Sequence, residues 1–254
     1  MELDAKGLKP PEDVHLNEPD VFEEDVRTAR RVTSVYVYEA PVRLWHWINA
    51  LAIVVLALTG YFIGKPPPSV TVAEASEQFL FGYLRFAHFA AGYVLTIGLA
   101  ARLYWAVVGN HHARQIFQLP IRDARWRKEV LWEMRWYAFL ERDPKKYVGH
   151  NPLAQIAMFS FAALMLPFMI ATGFALYAEG QQAGGWADTL FGWVIPLFGS
   201  SLDVHMWHRL GMWGIVIFSI VHIYAAIRED IMSRQSMVST MISGHRTFKD
   251  DDPD

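Results

Sequence analysis

Cysteine is absent from the 254 residues. That excludes disulfides, thiolate-held iron–sulfur clusters, zinc ribbons and the Cys-x-x-Cys-His attachment of c-type haem. Any metal or haem held here must take histidine, methionine or oxygen ligands. The chain also lacks a basic tract: its net charge is -3, and its lysines and arginines fall in particular loops, so no nucleic-acid surface is indicated. The acidic, polar N-terminus shows no basic start followed by an apolar run, the mark of a cleaved secretory signal. Insertion is left to the first membrane helix.

What is abundant is apolar. Hydrophobic residues make up 53% and aromatic residues 14%, concentrated into runs. Four runs are long enough to cross a hydrocarbon core of about 30 Å, at about 44–64, 84–109, 153–178 and 205–227. The first is closed by Lys65 and Pro66, Pro67 and Pro68, the third is interrupted by Pro167, where a kink is expected, and the fourth ends at Arg228, Glu229 and Asp230. The predicted fold class is all-α, an integral membrane four-helix bundle. Residues 1–38, with Pro10, Pro11, Pro19 and a cluster of acids, read as a disordered acidic extension, and 231–254 as a polar tail.

The connections differ in character. Residues 111–152 are rich in arginine and lysine, and Trp132, Trp136 and Phe139 recur there at helical spacing, which predicts a helix lying on the membrane surface or packed on a partner. Arg102, near the end of the second run, is placed to snorkel toward headgroups. Residues 179–204 have no lysine or arginine but carry Trp186, Phe191, Trp193 and Phe198, as an interfacial or partner-facing loop would. Basic residues also set orientation. Arg27, Arg30, Arg31 and Arg43 flank the first run, and Arg114, Arg122, Arg125, Arg127, Lys128, Arg135, Arg142, Lys145 and Lys146 fill the second connection. The opposite side has Lys65, Arg85 and Arg209. The positive-inside rule then puts both termini in the cytosol.

Histidine supplies the chemistry. His208 and His222 share the fourth run, fourteen positions and so about 21 Å apart on a helix, and leave nearly the same face. An ionisable residue in such a segment marks a site by default. His46 lies at the cytosolic start of the first run and His88 at the outer start of the second. By depth the four sort into His46 with His222 and His88 with His208, each pair drawn from two helices. Two imidazoles facing across an interhelical gap are what a bis-histidine haem requires, so the pattern predicts two haems b. Gly60, Gly92, Gly211 and Gly214 near these positions suit either close approach of a macrocycle or helix packing. Arg43, Arg85 and Arg209 are candidate propionate partners or interfacial anchors. His205 is a fallback ligand or a surface residue, and His15, His111, His112, His150 and His245 read as solvated.

The segments YVYEAPVRLWHW, RFAHFAAGY, GNHH, RWYAFL, YVGHNPLA, FGWVIPL, DVHMWHRLGMW and VHIYAAIREDI resemble the b-type cytochrome subunit of membrane-bound nickel–iron uptake hydrogenases, over about Val35 to Lys249. The resemblance implies a four-helix, di-haem anchor in the bacterial cytoplasmic membrane. Such a subunit takes electrons from the hydrogenase small subunit, and through it from the large subunit, and delivers them to quinone. It places the haem ligands at His46, His88, His208 and His222. On that reading the partner docks on the outer face near the loop of Trp186 to Phe198. Quinone meets the inner haem, with Trp45, Trp47, Tyr224 and Arg228 as neighbours, the three aromatics being alternatively belt residues at the headgroups. The chain is then an electron-transfer subunit with no hydrogenase chemistry of its own. Two other readings stand beside it: the cytochrome b subunit of another periplasmic oxidoreductase such as a formate dehydrogenase, and a histidine-based proton or metal transporter.

Overall fold

The computed structural model describes residues 32–66, 79–181 and 183–249, within which Ser34–Phe248 forms one unit. Residues 1–31 and 250–254, with most of the expected extension and the end of the tail, lie outside the described residues.

Among the described residues four helices are long and apolar enough to cross a membrane: Ala40–Gly64 (α1), Leu80–Val108 (α2), the segment Pro152–Glu179, and Ser201–Met232. The first, second and fourth begin about four residues earlier than the apolar runs predict and the third one residue earlier. Pro41 stands in the first turn of α1, where its missing N–H breaks no helical bond. Asn151 accepts from Ala154 N at 2.6 Å, and Ser200 accepts from Asp203 N. At 25 residues, α1 is about 37 Å long, enough to cross with tilt.

Between α2 and the third span lie His111–Arg114 (α3), capped by Asn110, and Ala124–Tyr137 (α4). The third span is Pro152–Phe159 (α5), a wider π turn at Ser160–Met165, then Leu166–Glu179 (α6). Pro167 cannot donate to the preceding turn and its ring crowds that turn, so the distortion falls just before it. Trp186–Phe191 (α7) and Val194–Phe198 (α8) lead to the fourth span, Ser201–Met232 (α9), and Met237–Ser243 (α10) follows.

Among the described residues the all-α expectation meets one exception. Val32–Tyr36 (β1) and His245–Lys249 (β2) pair in a two-stranded sheet, and Val37 and Tyr38 N–H both reach Gly244 O. Ordered chain therefore starts before residue 38, and the segments entering α1 and leaving α9 meet at one end of the bundle, here the terminal end. Three β-branched residues and a tyrosine in VTSVY favour a strand, and Val37 and Tyr38 bury against Val42 and Ala113. Glu39 accepts from Trp105 Nε1 and Asn110 N, both at 2.9 Å, which pins the start of α1 to the end of α2.

The core runs through the middle of the spans, where Leu95, Leu99, Phe161, Leu166 and Ile215 meet. A second cluster of Ala175, Val194 and Val204 closes the far end under α7 and α8. Outside, Leu51, Ile97, Val107, Ile217 and Ile220 are more than half exposed, a surface made for lipid.

Two side chains point otherwise than expected. Arg102 does not snorkel. It is 2% exposed, donates Nη2 to Ala113 O, and stacks between Trp45 and Phe117, because α3 and those rings offer an acceptor and π faces inside. Trp136 on α4 is 3% exposed and donates to Glu229 at 3.3 Å, so this face of α4 packs on the end of α9.

Candidate functional site

His46 on α1 faces His222 on α9, with ring centres 6.3 Å apart and planes at 55°. His88 on α2 faces His208 on α9, with centres 6.4 Å apart and planes at 70°. The first pair lies toward the terminal end and the second toward the far end. A first-row metal binds an imidazole nitrogen at roughly 2 Å, with the ring centre about 1 Å further on, so rings on opposite sides of one metal have centres about 6 Å apart. Both pairs have that spacing. Among the described residues no group of three or more His, Cys, Asp or Glu could hold a bare metal ion. Two histidines suffice only where a macrocycle supplies the remaining ligands.

The far pair opens on a cavity of about 1270 Å³, lined among others by Gly92, Thr96, Arg85 and Arg209. A Cβ on Gly92 would meet nothing within 4 Å, so this helix face is open to the cavity. Gly211 and Gly214 are packing glycines instead, tight against Met169, Phe168 and Met165 of the third span. A Cβ on Gly60 would lie 3.1 Å from His88 Cε1, and one on Gly173 would lie 3.2 Å from His208 Cε1.

Two residues escaped the sequence reading. Thr59 Oγ1 is 2.9 Å from His88 Nδ1, and Thr172 Oγ1 is 2.8 Å from His208 Nδ1. The signal was present as a repeated Thr-Gly in the far halves of two spans, LTGYF at 58–62 and ATGFA at 171–175.

The terminal pair has a different setting. Trp45 Nε1, His46 Nδ1, Arg43 Nε, two nitrogens of Arg102 and one oxygen, Asn49 Oδ1, are buried without hydrogen-bond partners among the described residues, so unpartnered nitrogens outnumber oxygens here. Arg43 also donates through Nη1 to Ile242 O. At the far end Arg85 stacks on Phe89 at 5.9 Å, and Arg209 lies beside Gly64.

Trp45, Trp47, Tyr224 and Arg228 occupy separate surroundings. Trp45 packs on the central core under Arg102, Trp47 donates to Met241 O at 3.0 Å, and Tyr224 is exposed on the lipid-facing surface. Arg228 is 7% exposed, within 4.7–5.0 Å of the rings of Trp136, Tyr137 and Phe139, and bonded to Trp136 O. Its Nη1 has no hydrogen-bond partner among the described residues and lies 4.0 Å from Glu229 Oε2.

His205 is exposed, with Nδ1 2.9 Å from Ser201 O. His150 is not a solvated histidine: it sits 3.2 Å from Tyr38 Oη, and desolvation, with Arg246 next in weight, lowers its pKa to about 3. Burial also lowers His112. His15 lies outside the described residues.

The family described as "Prokaryotic cytochrome b561" matches residues 37–244. The chain belongs to this family. It is thereby a b-type cytochrome, for which haem is the group that facing imidazoles serve. Among its relatives, the "Probable Ni/Fe-hydrogenase B-type cytochrome subunit" of Rhodobacter capsulatus is 62% identical over 232 residues, covering 91% of this chain and 88% of the relative. A protein of the same description from Azotobacter chroococcum mcd 1 is 63% identical over 225 residues, covering 89% and 93%. The "Probable Ni/Fe-hydrogenase 1 B-type cytochrome subunit" of Escherichia coli (strain K12) is 51% identical over 222 residues, covering 86% and 93%.

Proposed function

We propose that the chain is a di-haem cytochrome b subunit that anchors a nickel–iron hydrogenase to the bacterial cytoplasmic membrane and carries electrons from its small subunit to quinone. The observation that carries this reading is the pair of facing imidazole couples, His46 with His222 and His88 with His208, each at the spacing of two ligands on one metal. The relatives' descriptions favour a hydrogenase over other partners. A transporter reading fits poorly, because no described His, Cys, Asp or Glu joins either couple to complete a metal site.

The residues fit haem at both ends. The far couple borders a cavity with an open glycine face and two arginines, and the terminal couple stands among buried donors that lack acceptors, as propionates would supply. Haem b would supply one-electron transfer, and His46 with His222 and His88 with His208 are the residues that would hold it. The protein's part is to hold the rings rigidly, keep water out and set the distance. Along α9 the two histidines are about 21 Å apart, so the couples lie at different membrane depths.

Orientation follows from charge. The terminal end carries the arginine- and lysine-rich connection and the far end few basic residues, so both termini are placed in the cytosol and the far couple at the periplasmic side. Electrons then enter from the small subunit at His88 and His208 and leave to quinone near His46 and His222. The test is purification in mild detergent. Reduced b-type bands and co-purified hydrogenase subunits are the expected outcome, and a colourless protein would remove the proposal.

A further inference from the structure

Thr59 and Thr172 occupy equivalent places in the two halves of the bundle. Thr59 on α1 meets His88 on the next helix, and Thr172 on α6 meets His208 on the next spanning helix, each at Nδ1 and each followed by a glycine whose missing Cβ lets the same ring lie close. Both threonines are buried. A hydroxyl has one proton. Thr59 spends it on Val55 O at 2.6 Å and Thr172 on Phe168 O at 2.8 Å, the carbonyls four residues back. Each oxygen can then only accept from the imidazole, so in both rings the proton sits on Nδ1 and the lone pair on Nε2, the nitrogen left to bind a metal.

We propose that Thr59 and Thr172 are positioning residues that fix the tautomer and rotation of His88 and His208 and hold the reduction potential of the far haem down. The inference rests on the di-haem reading above. A donated Nδ1–H makes the opposite nitrogen more basic, and a more basic axial ligand favours ferric over ferrous iron. His46 Nδ1 at the terminal end has no hydrogen-bond partner among the described residues, so that ring lacks the support that both rings of the far couple have. The difference makes the far haem the lower in potential, and electrons entering there run downhill toward the terminal end. Gly60 and Gly173 serve the same geometry, since a side chain at either would push its ring off the hydroxyl.

The test uses the full complex. Thr59→Val and Thr172→Val keep the branched shape and remove the acceptor, and Thr→Ser at each position restores it. In redox titrations followed at the b-type bands, the far haem is the component missing from His208→Ala. Each valine variant is expected to shift that component's oxidised-to-reduced equilibrium by about tenfold toward the reduced form, about 59 mV for one electron, with the other component unmoved and serine returning it. Loss of the far haem in a valine variant with recovery in the serine variant supports the same role. Both haems kept with neither potential moved, a shift confined to the other haem, or a loss that serine does not repair overturns it. Wild-type protein without haem would overturn the functional reading itself, a separate failure.

Discussion

The hydroxyl of Tyr38 lies 3.2 Å from Nδ1 of His150, a contact between residues 112 positions apart that ties the lead into α1 to the lead into α5. Burial first, and then the positive charge of Arg246, which also bonds to the Tyr38 side chain, keep His150 neutral, able to accept from the Tyr38 hydroxyl. Its pKa falls from 6.5 to about 3, while burial raises that of Glu133 on α4 from 4.5 to about 7.

The signs of these two shifts oppose. As pH falls below 6.5 the unfolded state takes up the His150 proton and the folded state does not, so stability is lost. As pH falls from about 7 toward 4.5 the folded state alone protonates Glu133, so stability is gained. Between about 4.5 and 6.5 the wild-type protein should therefore change little. Glu133→Gln should become less stable on acidification, by at most about 1.4 kcal/mol per pH unit. His150→Gln should trend the other way. Thermal unfolding in detergent across this range reads the slopes, and parallel curves for both variants would refute the assignment.

Haem content should follow the couples. Wild-type protein should carry about two haems b per chain by pyridine haemochrome, and His208→Ala about one, with the terminal haem kept because the couples share only α9. His205→Ala should keep both, since its ring is exposed and bonded within its own helix. One haem per chain in wild type, or loss in His205→Ala with retention in His208→Ala, contradicts the pairing.

The histidine pairing is legible in the sequence because it depends on spacing. His208 and His222 leave one face of one helix whatever surrounds them, and depth alone pairs them with His88 and His46. What is not legible depends on where unlike segments meet. Arg102 looks like a headgroup anchor and Arg228 like part of the charged end of a span, yet Phe117, Ala113 and Trp136, on other segments, hold both in buried places. The sheet of β1 and β2 pairs short segments from the two ends of the chain, and no local periodicity announces such a partner. The threonine contacts are hidden for a simpler reason: a threonine in an apolar run reads as filler until its neighbour is known.

A docking face for the hydrogenase is predicted at the far end. The aromatic loop divides into a half that closes the bundle, with Phe191 stacked on Phe174 at 5.1 Å and Val194 buried, and a half that stays outside, with Leu190, Trp193 and Leu197 more than half exposed. An exposed apolar set centred on a tryptophan suits an interface anchor, where truncation costs about 2 kcal/mol or more. Trp193→Asp with Leu197→Asp should slow hydrogen-dependent haem reduction by at least about tenfold and leave dithionite reduction intact. Equal loss of both would point to misfolding and sink the assignment.

Electrons are predicted to leave at the terminal end. If quinone is reduced there, each electron crosses from the far couple inward, and protons are drawn from the cytosol. The charge moved is worth about 2.3 kcal/mol per 100 mV. Arg228 is predicted to act in packing instead, because it is caged by Trp136, Tyr137 and Phe139 and lies beside buried Glu229. Arg228→Leu should therefore lower stability, by about 3 kcal/mol as one partner is removed from a buried ion pair, without a selective rise in the KM for quinone. Trp47 and Tyr224 remain exposed on the terminal halves of α1 and α9, where a membrane-dissolved ring can reach them. Tyr224→Ala should raise that KM several-fold while sparing both haems. The complex in sealed vesicles, given hydrogen and quinone, should build a membrane potential with no other pump present. Rapid quinone reduction without a potential would move the site to the far end and make the terminal couple a bystander.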